Sequence, residues 1–175
     1  MYDSILDALR RGALSEALTA AEALVAERPD DPQALRWLSA AQMQVGQTDA
    51  ALATIDRAIA LAPENAELHL ARAGVLVGSR RNEDAQAALS QATGLDPNQF
   101  TAYLIQGQLA LGRGDLDEAE RLARLAARVS PDHPQLAGIT GMVALRRGNP
   151  DDALKIVSAA LQQAPDDVQL RYALG

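Results

Sequence analysis

The sequence predicts an all-α fold built from tandem helix-turn-helix repeats, and three observations support that prediction. Prolines recur at a constant step of 34 residues, at Pro29, Pro63, Pro97, Pro131 and Pro165. An alanine keeps the same step, at Ala17, Ala51, Ala85, Ala119 and Ala153. Hydrophobic residues make up 48% of the chain and aromatic residues only 3%, so Ala and Leu, both strong helix formers, build the core. A fixed period of this length indicates one supersecondary element copied along a line, each copy burying its apolar face against its neighbours.

The first helix of each repeat has recognisable limits. Asp31 before Pro32 is a typical helix start, since the carboxylate can cap the free amides and proline fits the first turn. Glycine suits the left-handed residue that ends such a helix, and it occurs at Gly12, Gly46, Gly114 and Gly148. Arg80 takes this place once.

The second helix carries an apolar stripe with helical spacing, as at Leu52, Ile55, Ala58 and Ile59. Its start signals are Asp115 with Glu118, which form a capping-box pattern, and Asn149 before Pro150. Each proline of the 34-residue series then ends the second helix, because it has no amide proton and biases the preceding residue away from helical angles. Small residues recur where the two helices must approach, and a large side chain at Ala119 or Gly141 would force them apart.

These motifs resemble the tetratricopeptide repeat, a helix-turn-helix family with a 34-residue period, in five consecutive copies. The family's small residue in the first helix is matched by Ser39, Ala73, Gly107 and Gly141. A second family alanine is matched by Ala58, Ala92, Ala126 and Ala160, with Leu24 as the exception. The third copy departs most, because His69 replaces a large aromatic residue and Arg72 a leucine, and we expect it to pack less tightly.

The resemblance implies a right-handed α-solenoid, for which we expect one domain over residues 1–175. The repeats are predicted at about 1–31, 32–65, 66–99, 100–133 and 134–167, followed by a partial sixth helix at 168–175. Leu170 and Leu174 would lie exposed on that last segment. An uncapped end indicates either a fragment of a longer protein or a possible homodimer formed through exposed terminal repeats.

Charge and composition exclude several classes of partner and chemistry. The net charge of −7 opposes nonspecific binding of nucleic acid or anionic lipid. Without cysteine there is no thiolate nucleophile and no cysteine metal ligand. His69 and His133 lack metal-site spacing, and we interpret them as a packing residue and a turn residue. No catalytic constellation is visible, so we expect no enzyme activity, no cofactor and no metal.

The resemblance also implies a binding surface, because first helices line the concave face in the family. The family's ligand-contact positions correspond here to Tyr2, Asp3, Leu6, Leu9, Arg10, Gln33, Arg36, Trp37, Ala40, Met43, Gln44, Glu67, Leu70, Ala71, Gly74, Val77, Thr101, Leu104, Ile105, Gln108, Leu111, Gln135, Ile139, Met142, Leu145 and Arg146. The groove residues we single out are Arg36, Trp37, Met43, Leu70, Val77, Leu104, Ile105, Gln108, Ile139 and Met142. The largely apolar set favours an amphipathic helix or an apolar peptide.

The clamp for acidic chaperone tails that some family members use is not matched. It needs Lys and Asn where this chain has Arg36 and Ala40, and further Asn, Lys and Arg where it has Ala71, Thr101 and Ile105. Binding of such a tail is therefore disfavoured.

Trp37 is the residue most typical of an energetic anchor at an interface, although it could equally fold onto neighbouring helices. We hypothesise that it forms a ligand-contact strip with Leu70, Leu104, Ile105 and Ile139. Tyr172 is a second aromatic residue at a concave position, whereas Phe100 and Tyr103 are expected to serve packing.

Three functions remain open from the sequence. The leading one is a noncatalytic scaffold that binds a protein or peptide ligand in its groove. The alternatives are the repeat region of a larger bacterial enzyme of the transferase type, as similar Ala- and Leu-rich repeats imply, and a self-associating assembly module. The opening residues have no signal-peptide pattern and no stretch reaches the length of a membrane span, so we expect a cytoplasmic protein without membrane insertion, or a periplasmic one if a leader has been lost.

Overall fold

The computed structural model describes residues 2–166, and within that range it contains helices and turns without any strand. The helices are α1 (Tyr2–Arg10), α2 (Leu14–Glu27), α3 (Pro32–Gln44), α4 (Thr48–Leu61), α5 (Ala66–Gly78), α6 (Asn82–Leu95), α7 (Phe100–Arg113), α8 (Leu116–Val129), α9 (Leu136–Arg146) and α10 (Pro150–Gln163). The prediction of an all-α repeat fold is therefore confirmed. The predicted sixth helix, with Leu170, Tyr172 and Leu174, lies outside the described residues.

Successive helices pair into the predicted repeats. Each odd-numbered helix contacts the even-numbered helix that follows it, across a turn short enough to require an antiparallel pair. The chain divides into two compact units, residues 1–96 with α1 to α6 and residues 97–175 with α7 to α10. We call them unit 1 and unit 2 and describe each by itself.

The small residues of the repeat lie where the two helices of a pair touch. The hydroxyl of Ser39 in α3 donates to the carbonyl oxygen of Ala51 in α4 at 2.8 Å. In unit 2, a Cβ atom at Gly141 would lie 2.6 Å from Cγ2 of Val157, so no side chain fits there without displacement. The alanine of the 34-residue series is buried in every repeat. The expectation that bulk at these positions would separate the helices agrees with this geometry.

Helix starts follow the predictions only in part. Asp31 caps α3 as expected, because its Oδ1 accepts from the amide of Gln33 at 2.9 Å. Asp115 likewise accepts from the amide of Glu118 at 3.1 Å, but the carboxylate of Glu118 binds Arg121 at 2.6 Å instead of closing a capping box. The Asn149 side chain makes no cap hydrogen bond, and Pro150 alone marks the start of α10.

The third repeat buries one of the two residues that depart from the family pattern, His69, and leaves Arg72 half-buried. His69 is buried, as a packing residue should be, and its Nε2 lies 2.8 Å from the carbonyl oxygen of Pro63. Arg72 binds Asp56 of the preceding repeat at 2.7 Å. Leu68 and Leu76 are fully buried in the same helix, so burial in α5 does not show the looser packing expected for this copy.

The turn inside each repeat requires a left-handed residue. The glycines at this place have φ between 70° and 83°, and Arg80 adopts φ 60° in the third repeat. The turn is closed in all five repeats by a backbone bond that spans five residues, such as Arg81 N to Leu76 O at 2.8 Å. Arg80 therefore holds a conformation that costs a side-chain-bearing residue about 1 kcal/mol.

Replacing Arg80 with glycine is expected to raise the free energy of unfolding by about 1 kcal/mol, because glycine adopts positive φ without strain. Chemical denaturation monitored by circular dichroism measures this change. The matched control is Arg81→Gly. Arg81 has φ −86°, so glycine relieves no backbone strain there, and the substitution removes the ion pair with Asp84. A loss of stability in the Arg80→Gly variant would contradict the expectation.

Candidate functional site

The first helices of unit 1 form a groove. Helix α3 contacts α1 on one side and α5 on the other, so the three first helices are neighbours. Between them lies a cavity of about 390 Å³, which we call the α1–α3–α5 groove. Its lining residues are Leu9, Arg36, Ser39, Ala40, Met43, Gln44, Ala71, Gly74 and Val75. Every lining residue belongs to a first helix, as the family resemblance implied.

The groove exists because small residues face it. Ala40, Ala71 and Gly74 leave room between the helices, and a Cβ atom at Gly74 would meet no atom within 4 Å. Leu9, Met43 and Val75 supply apolar walls. The surface is therefore concave and mainly apolar, with space for side chains of another molecule.

Met43 reaches from α3 to α5 and forms part of the wall. A Cβ atom at Gly78 would lie 2.0 Å from Cε of Met43, so the missing side chain of Gly78 makes room for the methionine. Any substitution at Gly78 must displace Met43. The shape of the groove thus depends on a contact between two consecutive repeats.

Arg36 is the charged residue among those that line the groove. Its Nε donates to Oε1 of Gln33 at 2.9 Å, and its guanidinium carbon lies 4.5 Å from the ring centroid of Trp37. These two contacts hold the guanidinium group in place. The Ser39 hydroxyl already donates its hydrogen bond to the carbonyl oxygen of Ala51, so it cannot donate one to a ligand.

The other predicted groove residues of unit 1 lie around this cavity. Trp37 is half-buried and packs against the core formed by α1, α2 and α3, which includes Ile5 and Leu38. Leu70 and Val77 are also half-buried, and neither lines the cavity. Of the residues singled out from the sequence, Arg36 and Met43 line it.

Sequence reasoning missed two lining residues, Ser39 and Val75. The sequence pattern assigned Ser39 only to the contact between the two helices of its repeat. Val75 follows Gly74 and is 5% exposed, and it borders the cavity because its neighbour has no side chain. The signal that could have found it is the glycine in the middle of an otherwise regular helix.

Unit 2 places its predicted groove residues differently. Gln108 is exposed, and Ile105 and Met142 are half-buried. Leu104 is 5% exposed and Ile139 only 2%, and both belong to the hydrophobic core of this unit. Packing among α7, α8 and α9 leaves these two side chains little exposed surface, and the contact strip stays a prediction.

Smaller cavities of about 320 and 240 Å³ in unit 2 share Glu120 and Thr140 in their linings. Their charged groups are already paired, since Arg147 donates to Glu120 at 2.7 Å and to Asp117 at 2.5 Å. The bond from Arg147 lowers the pKa of Glu120. A further surface cavity at residues 80–84 contains the ion pair of Arg81 with Asp84. The α1–α3–α5 groove differs in having apolar walls, and its single charged residue, Arg36, has no carboxylate partner among the described residues.

The described part of the chain shows neither a metal-binding cluster nor a membrane-spanning helix. Within residues 2–166 no three His, Asp or Glu side chains are grouped so that they could hold a metal ion. No helix in the same range is long and apolar enough to cross a membrane.

Comparisons with known proteins give matches along most of the chain. One family model described as tetratricopeptide repeat matches residues 8–75, and a second with the same description matches residues 70–134 and 140–175. A search of curated protein sequences found no match.

Solved structures share the fold. A thermophilic TPR protein of Thermus thermophilus is 26% identical, with a TM-score of 0.82 over 97% of this chain and 93% of the other. MamA from Desulfovibrio magneticus is 19% identical, with a TM-score of 0.73 over 95% and 94%. YrrB, described as a TPR protein with an unusual peptide-binding site, is 20% identical, with a TM-score of 0.67 over 97% and 87%.

Replacing Trp37 with alanine is expected to lower the free energy of unfolding by about 2 kcal/mol, because a half-buried indole loses part of the contacts that a fully buried one would lose. Thermal and urea denaturation measure the loss. Leu154→Ala is the control, since Leu154 is 56% exposed and its removal should change stability little. Full stability of Trp37→Ala would show that the indole contributes nothing to the core.

Proposed function

The chain belongs to the tetratricopeptide repeat family, and on this premise we propose that it is a noncatalytic scaffold that binds an apolar segment of a partner protein in the α1–α3–α5 groove. Proteins of this fold are generally noncatalytic interaction scaffolds, and the family supports that coarser role for this chain. The binding of a peptide segment in this groove is our proposal. The observation that supports it is the groove itself, which is concave, mainly apolar and formed by first helices.

The dimensions of the groove favour insertion of side chains. Its volume of about 390 Å³ falls at the low end of the range for ligand pockets, which is roughly 300 to 1,000 Å³. One or two large apolar side chains could occupy it, while the backbone of the partner segment lay across α1, α3 and α5. Burial of those side chains would supply most of the binding free energy.

The relatives agree with this proposal at the level of the fold. YrrB is described as having a peptide-binding site, and its structure aligns with nearly the whole of this chain. At 20% identity this similarity concerns the fold alone. The argument for this chain therefore rests on its own groove residues.

Gly74 offers a direct test, because it lines the groove and a side chain added there would occupy part of the groove. A Cβ atom at Gly74 has no neighbour within 4 Å, and replacing a mid-helix glycine should favour the helix by about 0.8 kcal/mol. We expect Gly74→Leu to fold at least as stably as the parent and to weaken a groove ligand tenfold or more, on the order of 1.4 kcal/mol. Peptides selected from a displayed random library on the parent protein serve as probes, with affinities measured by calorimetry.

The matched control is Gly94→Leu in α6. Gly94 is a helical glycine like Gly74, and a Cβ atom added to it would meet no atom within 4 Å, but it is exposed and does not line the groove. Selected peptides should bind this variant as they bind the parent. Equal binding to Gly74→Leu, or failure of the library to yield any ligand, would count against the proposed function.

A further inference from the structure

We propose that the partner segment carries an Asp or Glu side chain beside its apolar residue, and that Arg36 binds this carboxylate. The inference rests on the proposed function and specifies the chemistry of its ligand. Three features of Arg36 support it: its place in the groove, its fixed orientation and its unbalanced charge.

Arg36 is the one charged residue among the nine that line the groove. The lining contains no carboxylate, so an acidic ligand side chain would meet attraction there without a compensating repulsion. Apolar walls also strengthen such an attraction, because they exclude water from around the pair. A basic ligand side chain would instead be repelled by Arg36 and would find no carboxylate in the lining to attract it.

The guanidinium group of Arg36 is preorganised to bind a planar carboxylate. Gln33 accepts from Nε at 2.9 Å, and the group lies 4.5 Å from the Trp37 ring centroid. Within residues 2–166 the two terminal nitrogens make no hydrogen bond. Arginine binds a carboxylate well through two parallel N–H donors, and a side chain already fixed loses less entropy on binding.

Several other arginines of unit 1 are balanced by a carboxylate, and those without one, such as Arg10 and Arg80, are exposed. Arg11, Arg57 and Arg72 each form an ion pair with a carboxylate in unit 1. Arg36 instead has the neutral amide of Gln33 as its partner. Partial burial of a cation without a counterion costs desolvation free energy, so a ligand carboxylate would supply the counterion that the fold lacks.

A phosphate-rich ligand fits these observations less well. The groove offers one cation, and the whole chain carries a net charge of −7, which repels polyanions such as nucleic acid. A single carboxylate next to an apolar side chain matches both the single charge and the apolar walls.

The test uses random peptides displayed with both ends in peptide linkage, so that no free C-terminal carboxylate is present. We expect the peptides that bind the parent protein and lose binding to Gly74→Leu to be enriched in an Asp or Glu beside an aliphatic or aromatic residue. Replacing that acid with its amide should weaken binding to the parent about tenfold. Groove-binding peptides without an acidic residue, or enrichment only in a library with free C-termini, would overturn the inference.

Variants of the protein test the role of Arg36 itself. Arg36→Met removes the charge and keeps the long stem, and the peptide's acid-to-amide replacement should then cost little, as a double-mutant cycle would show. Gln33→Glu places a carboxylate beside the guanidinium group and should compete with the ligand, while Gln33→Met leaves the charge free and should retain binding. An equal acid-to-amide cost in the parent and in Arg36→Met would exclude a contact with Arg36.

The two proposals fail in different ways. Peptides that are insensitive to Gly74→Leu would contradict the groove as the binding site, and with it the role of Arg36. Peptides that depend on Gly74 but have no preference for an acid would leave the proposed function standing and refute the carboxylate contact. Circular dichroism of each variant confirms that the fold is retained in either case.

Discussion

The close contact between the two helices of each repeat is the constraint on which the rest of the structure depends. The pair can approach only where one helix offers a small residue and the other an alanine, as in the bond from Ser39 to Ala51 and the tight space at Gly141. This contact sets the position of each second helix, and within each unit α2, α4 and α8 contact the first helix that follows them. The neighbouring first helices of unit 1, and the groove between them, follow from that arrangement.

Much of the fold could be predicted because its determinants are local. Proline ends a helix through its own covalent structure, and glycine permits positive φ without help from other residues. The series at Pro29 and Gly12 therefore marked helix ends correctly. Predictions failed where a side chain had a choice of hydrogen-bond partner. The carboxylate of Glu118 binds Arg121 and does not close the capping box with Asp115, since the guanidinium group offers a stronger, charge-assisted bond.

The site was harder to predict because position on a helix face does not determine depth. Leu104 and Ile105 are adjacent in sequence, and both were assigned to the concave face, yet Leu104 belongs to the core and Ile105 is half-buried. Consecutive residues of an α-helix point about 100° apart, so one can enter the core while the next lies at its edge. The groove likewise depends on the absence of a side chain at Gly74 and on the path that Met43 takes over Gly78.

The methionine in the groove wall has a consequence for selectivity. Met43 is unbranched and flexible, and it lies over a glycine, so it can adjust its conformation to the shape of a bound apolar side chain. Arg36, by contrast, is fixed by Gln33 and Trp37. If the groove binds a partner segment as proposed, a surface built in this way would discriminate poorly between Leu, Met and Phe but sharply between charges.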